Sequence, residues 1–294
     1  MTSLRSLFGG PEIVVAPGCY DALSAHLIAS AGFAAAYLSG AAIAYTRYAR
    51  PDIGLIGMSE VADTVSTIRE RTEIPLIVDA DTGFGNALNV VRTVKLLAGR
   101  GASAIQLEDQ TTPKRCGHLA DKTLIPAAEM VGKIKAALDA RADGETLVIA
   151  RTDAIAVEGF SAALDRAEAY REAGADMLFI EAPRSDAELA GICQRFRGKA
   201  PLMANMVEGG KTPPKSAAEL QALGFSLAIF PGGTVRALAR CLQDYFASLR
   251  QHGTTEPYRD RMVDFDGLNA VIGTPEMLRL GRRYDPDAQG IVDA

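Results

Sequence analysis

The 294-residue sequence predicts a (β/α)8 barrel. Three observations carry the prediction: eight short apolar runs alternate with helix-like stretches, four of them follow a helix tail and a glycine, and nearly every run ends in polar or glycine residues. The runs are IVVAP (13–17), AAYLSG (35–40), PLIVDAD (75–81), AIQLED (104–109), TLVIARTD (146–153), MLFIEA (177–182), PLMANM (201–206) and LAIFPG (227–232). Each is nearly continuous in apolar character, as strands covered on both faces by crossover helices are, so the sheet is read as parallel. Between two of them, Phe160, Ala163, Leu164, Ala167 and Tyr170 form a helical stripe that is expected to stop at Gly174. Gly32, Gly101, Gly174 and Gly224 sit at equivalent places in SAGFAAAYLSG, GRGASAIQLED, EAGADMLFIEA and ALGFSLAIFPG, where left-handed helix caps are expected. The first three are spaced by about two βα units, which suits one repeated unit. An open doubly wound sheet is the structural alternative, but no GxGxxG turn follows the first run.

Composition narrows the function. With 48% hydrophobic residues the chain can bury a sizeable core. Its 31 Lys and Arg against 36 Asp and Glu leave a net charge of −5, with no basic block to follow a phosphate backbone, so nucleic acid is excluded as a partner class. The start MTSLRSLFGGPEI has no signal-type apolar core, and no run approaches a membrane span, so the expected location is cytoplasmic. Cys19, Cys116, Cys193 and Cys241 form no CxxC pair, which favours reduced thiols over disulfides or zinc. Cys19, Cys193 and Cys241 lie in apolar contexts and are expected to pack.

In a barrel the strand ends converge on one face, where barrel enzymes place their chemistry. The residues delivered there are Ser39 and Gly40, Asp79 and Asp81, Glu108 and Asp109, Arg151 and Asp153, Glu181, Asn205, and Gly232, Gly233 and Thr234. Asp79 and Asp81 are two apart and can face the same way, with Glu108 ending the neighbouring strand. Such an oxygen-only donor set favours Mg2+ or Mn2+, with several waters retained. Asp52, in RPDIGL, could join the outer shell; the competing arrangement pairs these acids with Arg151 or Lys114. The stretch QLEDQTTPKRCGH (106–118) then poses a question: Cys116 is either a reagent or a small side chain in a polar loop.

DADTGFGN (79–86), QLEDQ (106–110), KRCGH (114–118), ARTDA (150–154) and GCYDALSA (18–25) resemble the isocitrate lyase/phosphoenolpyruvate mutase superfamily, over roughly residues 10 to 250. KRCGH resembles its lyase branch in particular. The resemblance implies a barrel with additional C-terminal helices exchanged between subunits, usually a homotetramer built as a dimer of dimers. It implies Mg2+, with Asp79 and Asp81 holding the metal directly or through water and Asp52 and Glu108 in support. It also implies that Tyr37, Ser39 and Gly40 hold an oxo-acid carboxylate, that Arg151 and Glu181 contact substrate, and that Asn205 reaches the departing acid. Cys116 matches the lyase general acid, on a loop (111–123) that closes over substrate.

The implied reaction is cleavage of the C2–C3 bond of a 2-hydroxy dicarboxylate to a 2-oxo acid such as pyruvate and a second acid. It needs a deprotonated hydroxyl, a cation for the forming oxo acid, and a proton for the departing carbanion. Tyr37 or water activated by the cation is a candidate base, and His118 either relays a proton to Cys116 or steadies the closed loop. The cations flanking Cys116 are expected to favour thiolate, which complicates its use as an acid. At the eighth strand IFPGGTVRALA stands where methylisocitrate-cleaving members tend to carry Pro-Leu-Ser. There Gly232, Gly233 and Thr234 are expected to open a helix whose N–H groups receive a carboxylate. NMVEGGKTP (205–213) resembles members acting on substituted malates. The alternatives are oxaloacetate decarboxylase or phosphonomutase activity on the same enolate, and a non-catalytic oxo-acid-binding barrel. The chain is read as a single domain, residues 1–294, of which about 252–294 is a helical extension; DFDGLNAVIG and TPEMLRLGRRYD are its expected helices.

Overall fold

The computed structural model describes residues 3–141 and 144–285. All eight predicted strands form: β1 (Val14–Cys19), β2 (Ala36–Leu38), β3 (Leu76–Asp79), β4 (Ala104–Glu108), β5 (Leu147–Thr152), β6 (Met177–Ile180), β7 (Leu202–Asn205) and β8 (Leu227–Phe230). They pair in parallel in sequence order and close, β8 against β1, into a barrel. The strands end one or two residues before most of the apolar runs do, because the polar residues that finish each run leave the ladder for the loops.

Alternation along the strands sorts the side chains into two sets. Ala16, Tyr37, Ile77, Ala104, Ile149, Phe179, Met203 and Ile229 fill the barrel interior. Val78, Ile105, Leu107, Val148, Leu178 and Ala228 pack outward with the helices. The stripe read from the sequence is the helix Phe160–Glu172, which buries Ala163, Ala167 and Tyr170. Gly32, Gly101, Gly174 and Gly224 all have positive φ, as the caps require.

The alternation also corrects one expectation. Asp109, grouped with Glu108 at the strand end, has the opposite parity and faces the helices. It is wholly buried and accepts hydrogen bonds from Thr152 Oγ1 (2.7 Å), the Asp153 N–H (3.0 Å) and Tyr170 OH (2.7 Å). Its carboxylate ties the end of β5 to the helix Phe160–Glu172.

The chain divides into two compact units, residues 1–236 and 237–294. The helix Gly233–His252 runs across that division, and the helices Phe265–Ile272 and Thr274–Arg282 realise the two segments read from the sequence. Within the second unit Tyr258 is buried, donates to the Cys241 carbonyl (3.1 Å) and packs edge-on against Tyr245. All four cysteines are free, but Cys241 is exposed rather than packed in apolar surroundings, because its helix turns that face outward. Among the described residues, no helix is long and apolar enough to cross a membrane.

Barrel closure depends on a glycine. A Cβ on Gly18 would stand 2.1 Å from the Pro231 carbonyl oxygen, a backbone contact that no side-chain motion relieves. Gly18→Ala is therefore expected to lower stability by about 3 kcal/mol, read as an earlier urea midpoint. An unchanged midpoint would show that the β1–β8 seam tolerates the shift.

Candidate active site

The C-terminal mouth of the barrel holds a cavity of about 60 Å³, lined among others by Tyr37, Ser39, Asp52, Asp79, Cys116, His118, Arg151, Asn205 and Gly232. That is room for a few waters. Interior parity delivers most of these groups, since each lies an even number of residues beyond an inward-facing apolar side chain of its own strand.

Arg151 is the central cation. Its Nε and Nη2 donate to the two oxygens of Asp153 (2.9 and 3.1 Å), and it lies 3.3 Å from Glu108 and 3.7 Å from Glu181. Burial alone would raise the Asp153 carboxyl, but Arg151 and Lys122 outweigh it and hold that group well below the usual carboxylate range. Burial pushes Glu108 well up, against the opposing pull of Arg151. Glu181 is fully buried and accepts from Asn205 Nδ2 at 3.1 Å, which fixes the amide and leaves its Oδ1 without a hydrogen bond.

Asp79 Oδ1 accepts from Gln106 Nε2 (3.2 Å) and from the Asp81 N–H (3.1 Å). Its other oxygen and Asp81 Oδ1 both face the space above Gly40, 3.7 and 3.5 Å from where a Cβ would lie. Asp81, held at a positive φ, is pushed up to about 6 by burial, with Lys114 opposing. Lys114 Nζ stands 2.5 Å from Asp52 Oδ1 and 2.8 Å from Asp81 Oδ1. The competing arrangement of acids paired with Lys114 and Arg151 is therefore realised in this structure. Among the described residues, no three His, Cys, Asp or Glu side chains converge on one point. The donor set nevertheless fits Mg2+, which takes one or two carboxylates and keeps its remaining waters. Asp79 and Asp81 would supply the carboxylates; Glu108 Oε1 is buried without a hydrogen bond, and Asp81 Oδ1 faces the Lys114 ammonium.

Ser39 caps the helix Gly40–Tyr48 by accepting from the Ala42 N–H (3.2 Å), so the first N–H groups of that helix open beside Ala41 at the cavity wall. Tyr37 differs from its expected use as a base. Its hydroxyl donates to Gln106 Oε1 (2.9 Å), and burial, reinforced by Asp79, pushes its pKa far up, so it acts as a donor.

The loop 111–123 lies down on the site. A Cβ on Gly117 would meet Arg151 Nη2 at 2.5 Å and Glu181 Cγ at 2.6 Å, so only glycine permits this approach. The Cys116 N–H donates to the Asp52 carbonyl (3.1 Å), and Lys122 Nζ reaches the Gly117 carbonyl (2.5 Å) and Asp153 (2.7 Å). Cys116 departs from the thiolate expectation: burial raises its pKa above the ordinary 9.0, outweighing Arg151 and the His118 N–H. His118 Nδ1 accepts from the Lys211 N–H (3.1 Å), Nε2 faces Glu181 (3.3 Å), and burial lowers its pKa. It bridges this loop and the segment after β7.

At β8 the helix opens at Gly233, as read, and of the PGGT segment Pro231 and Gly232 line the cavity. Gly233 faces the Glu208 carboxylate, which stands 2.9 Å from where a Cβ would lie, a negative charge that opposes an incoming anion at that point. Sequence reading missed Arg236, whose guanidinium folds back over Gly232 into the cavity wall and donates to Glu208 (3.0 Å). It also missed Gln106 and Lys122. The only available signals were the inward parity of Gln106 and the position of Arg236 one turn into the helix.

A closed parallel barrel with its buried ionised side chains gathered at the carboxyl ends of the strands has the build of a barrel enzyme. The chain belongs to the phosphoenolpyruvate phosphomutase family, whose model matches residues 4–250, within the PEP mutase/isocitrate lyase superfamily. It is 48% identical over 270 residues to 2-methylisocitrate lyase of Aeropyrum pernix, covering 92% of this chain and 86% of that one. It is 41% identical over 281 residues to 2,3-dimethylmalate lyase of Eubacterium barkeri, covering 96% of each. A crystal structure of 2,3-dimethylmalate lyase superposes with a TM-score of 0.91 at 34% identity over all of both chains. Phosphonopyruvate hydrolase, solved with oxalate and Mg2+, superposes with a TM-score of 0.86 at 32% identity, covering 96% and 97%.

The burial of Cys116 has a direct consequence in solution. Carboxymethylation by iodoacetate at about pH 7.5, followed by peptide mass spectrometry, is expected to be slower at Cys116 than at exposed Cys241 and to accelerate as the pH rises past the ordinary thiol range. Faster labelling of Cys116 at neutral pH would mean that the thiolate prevails.

Proposed function

We propose that the protein is a Mg2+-dependent carbon–carbon lyase that cleaves a 2-hydroxy dicarboxylate, a substituted malate, into a 2-oxo acid and a second carboxylic acid. The observation that carries the reading is the placement of Cys116 at the cavity, on a loop whose Gly117 rests on Arg151 and Glu181 and where burial raises the thiol pKa. Mn2+ would serve in place of Mg2+.

In this reading the Gly40–Tyr48 helix N-terminus, with Ser39, receives the carboxylate of the forming oxo acid. Arg151 stabilises the negative charge on the C2 oxygen, and Tyr37 holds Gln106 and thereby Asp79 in register. A divalent cation beside Asp79 and Asp81, supported by Asp52 and Glu108, supplies further charge for the alkoxide and the oxo acid. The hydroxyl proton passes to a water in the cavity, the C2–C3 bond breaks, and its electron pair remains on C3 of the departing acid. The Cys116 thiol gives its proton to that carbon, and solvent restores the thiol once the loop opens. Burial keeps the thiol protonated before substrate arrives, so loop closure delivers an acid. Asn205 and Arg236 flank the position of the second carboxylate, and Glu208 aims the Arg236 guanidinium across Gly232.

The whole chain is read as one functional domain with a helical extension. Its terminal helices expose Phe246, Phe265, Ile272, Met277 and Leu278, apolar surface that further copies would cover in a homotetramer.

EDTA is expected to abolish cleavage of 2-alkylmalates, and Mg2+ or Mn2+ to restore it; full turnover in excess EDTA would refute the metal requirement. Cys116→Ser is expected to lose roughly two to four decades in kcat with affinity for oxalate preserved, since only carbon protonation is removed. Near wild-type cleavage by this variant would refute the thiol's role, whereas retained activity on oxaloacetate or phosphonopyruvate alone would point to the decarboxylase or mutase reading. Arg236→Met is expected to raise KM for the dicarboxylate by roughly tenfold or more while leaving pyruvate affinity intact. An equal loss for both ligands would place Arg236 outside the second-carboxylate pocket.

A further inference from the structure

Lys114 belongs to the loop that carries Cys116, yet its ammonium is buried between two carboxylates of the barrel mouth. Asp52 holds the loop twice, through its side chain to Lys114 (2.5 Å) and through its carbonyl to the Cys116 N–H (3.1 Å). The backbone at Gly54 closes on the same segment, 3.3 Å from the Lys114 nitrogen if a Cβ were present. Asp81, the other partner of Lys114, is one of the two carboxylates that face the metal position above Gly40. A lysine and a divalent cation thus compete for the same negative charge, and their mutual repulsion is strong in a site this poorly hydrated.

We infer that Lys114 is a counter-ion occupying the electrostatic place of the metal, so that a divalent cation entering without an oxo acid drives Lys114 out and lifts the Cys116 loop. The inference rests on the metal site proposed above. It couples two events that the reaction must order: a cation alone holds the site open for substrate, and the added negative charge of the oxo acid lets Lys114 return while the cation stays. The acid Cys116 is thereby brought down only on a loaded site.

The test is Mn2+ binding, read from the free-ion paramagnetic resonance signal with no oxo acid present. Lys114→Met should bind Mn2+ at least about tenfold more tightly than wild type, whereas Lys114→Arg should stay close to wild type. Unchanged or weaker binding by Lys114→Met overturns the inference, and absence of Mn2+ binding in every form overturns the metal site with it. Amide exchange on the wild-type holoprotein gives a second reading that needs no variant. Residues 111–123 should exchange faster with Mn2+ alone than without it, and slower with Mn2+ plus oxalate. Protection by Mn2+ alone overturns the counter-ion role.

Discussion

The site depends on the pairing of Arg151 with the carboxylates around it. A guanidinium in a nearly dry barrel mouth is tolerated because Asp153 receives it bidentately and Glu108 and Glu181 stand close by. The same network reaches outward: Asp153 also binds Lys122, Lys122 binds the Gly117 carbonyl, and Gly117 rests on Arg151 and Glu181. Loop position, thiol burial and substrate charge recognition therefore share one set of contacts. Displacing any of these carboxylates would leave a buried cation uncompensated and loosen the loop bearing the acid.

Thiol protonation follows from that arrangement rather than from neighbouring sequence. Lys114, Arg115 and His118 flank Cys116 in the chain, but Lys114 is consumed by Asp52 and Asp81, and Arg115 turns to Asp121. His118 is neutral and occupied with Lys211 and Glu181. With its nominal activators engaged elsewhere, desolvation prevails at the sulfur. A cysteine whose flanking cations favour thiolate in sequence has its pKa raised by its placement.

The barrel was legible because strands buried on both faces leave continuous apolar runs, and because their polar ends inherit the parity of the residues before them. Asp79, Asp81, Glu108, Arg151, Glu181 and Asn205 all reached the mouth on that rule, and Asp109 failed by one residue of phase. Gly232, Gly233 and Thr234 are read as anion receivers from local pattern alone, which cannot show that Glu208, from the preceding βα loop, stands against Gly233. Arg236 and Lys122 were illegible for a related reason: long cationic side chains choose partners in space, across tens of residues of sequence. Cys241 was misplaced because an apolar neighbourhood in sequence does not say which helix face a residue occupies.

The central claim is that bond cleavage ends with a proton passed from the protein to carbon. Turnover of a 2,3-dialkylmalate, whose C3 bears a substituent, with Mg2+ in D2O, with both products analysed by NMR, tests it most directly. The account predicts the 2-oxo acid and a second carboxylic acid in equal amounts, with one deuteron placed stereospecifically on the former C3 carbon, because a single thiol on one face delivers it. Release of carbon dioxide in place of the second acid, or racemic deuteration at that carbon, would contradict it.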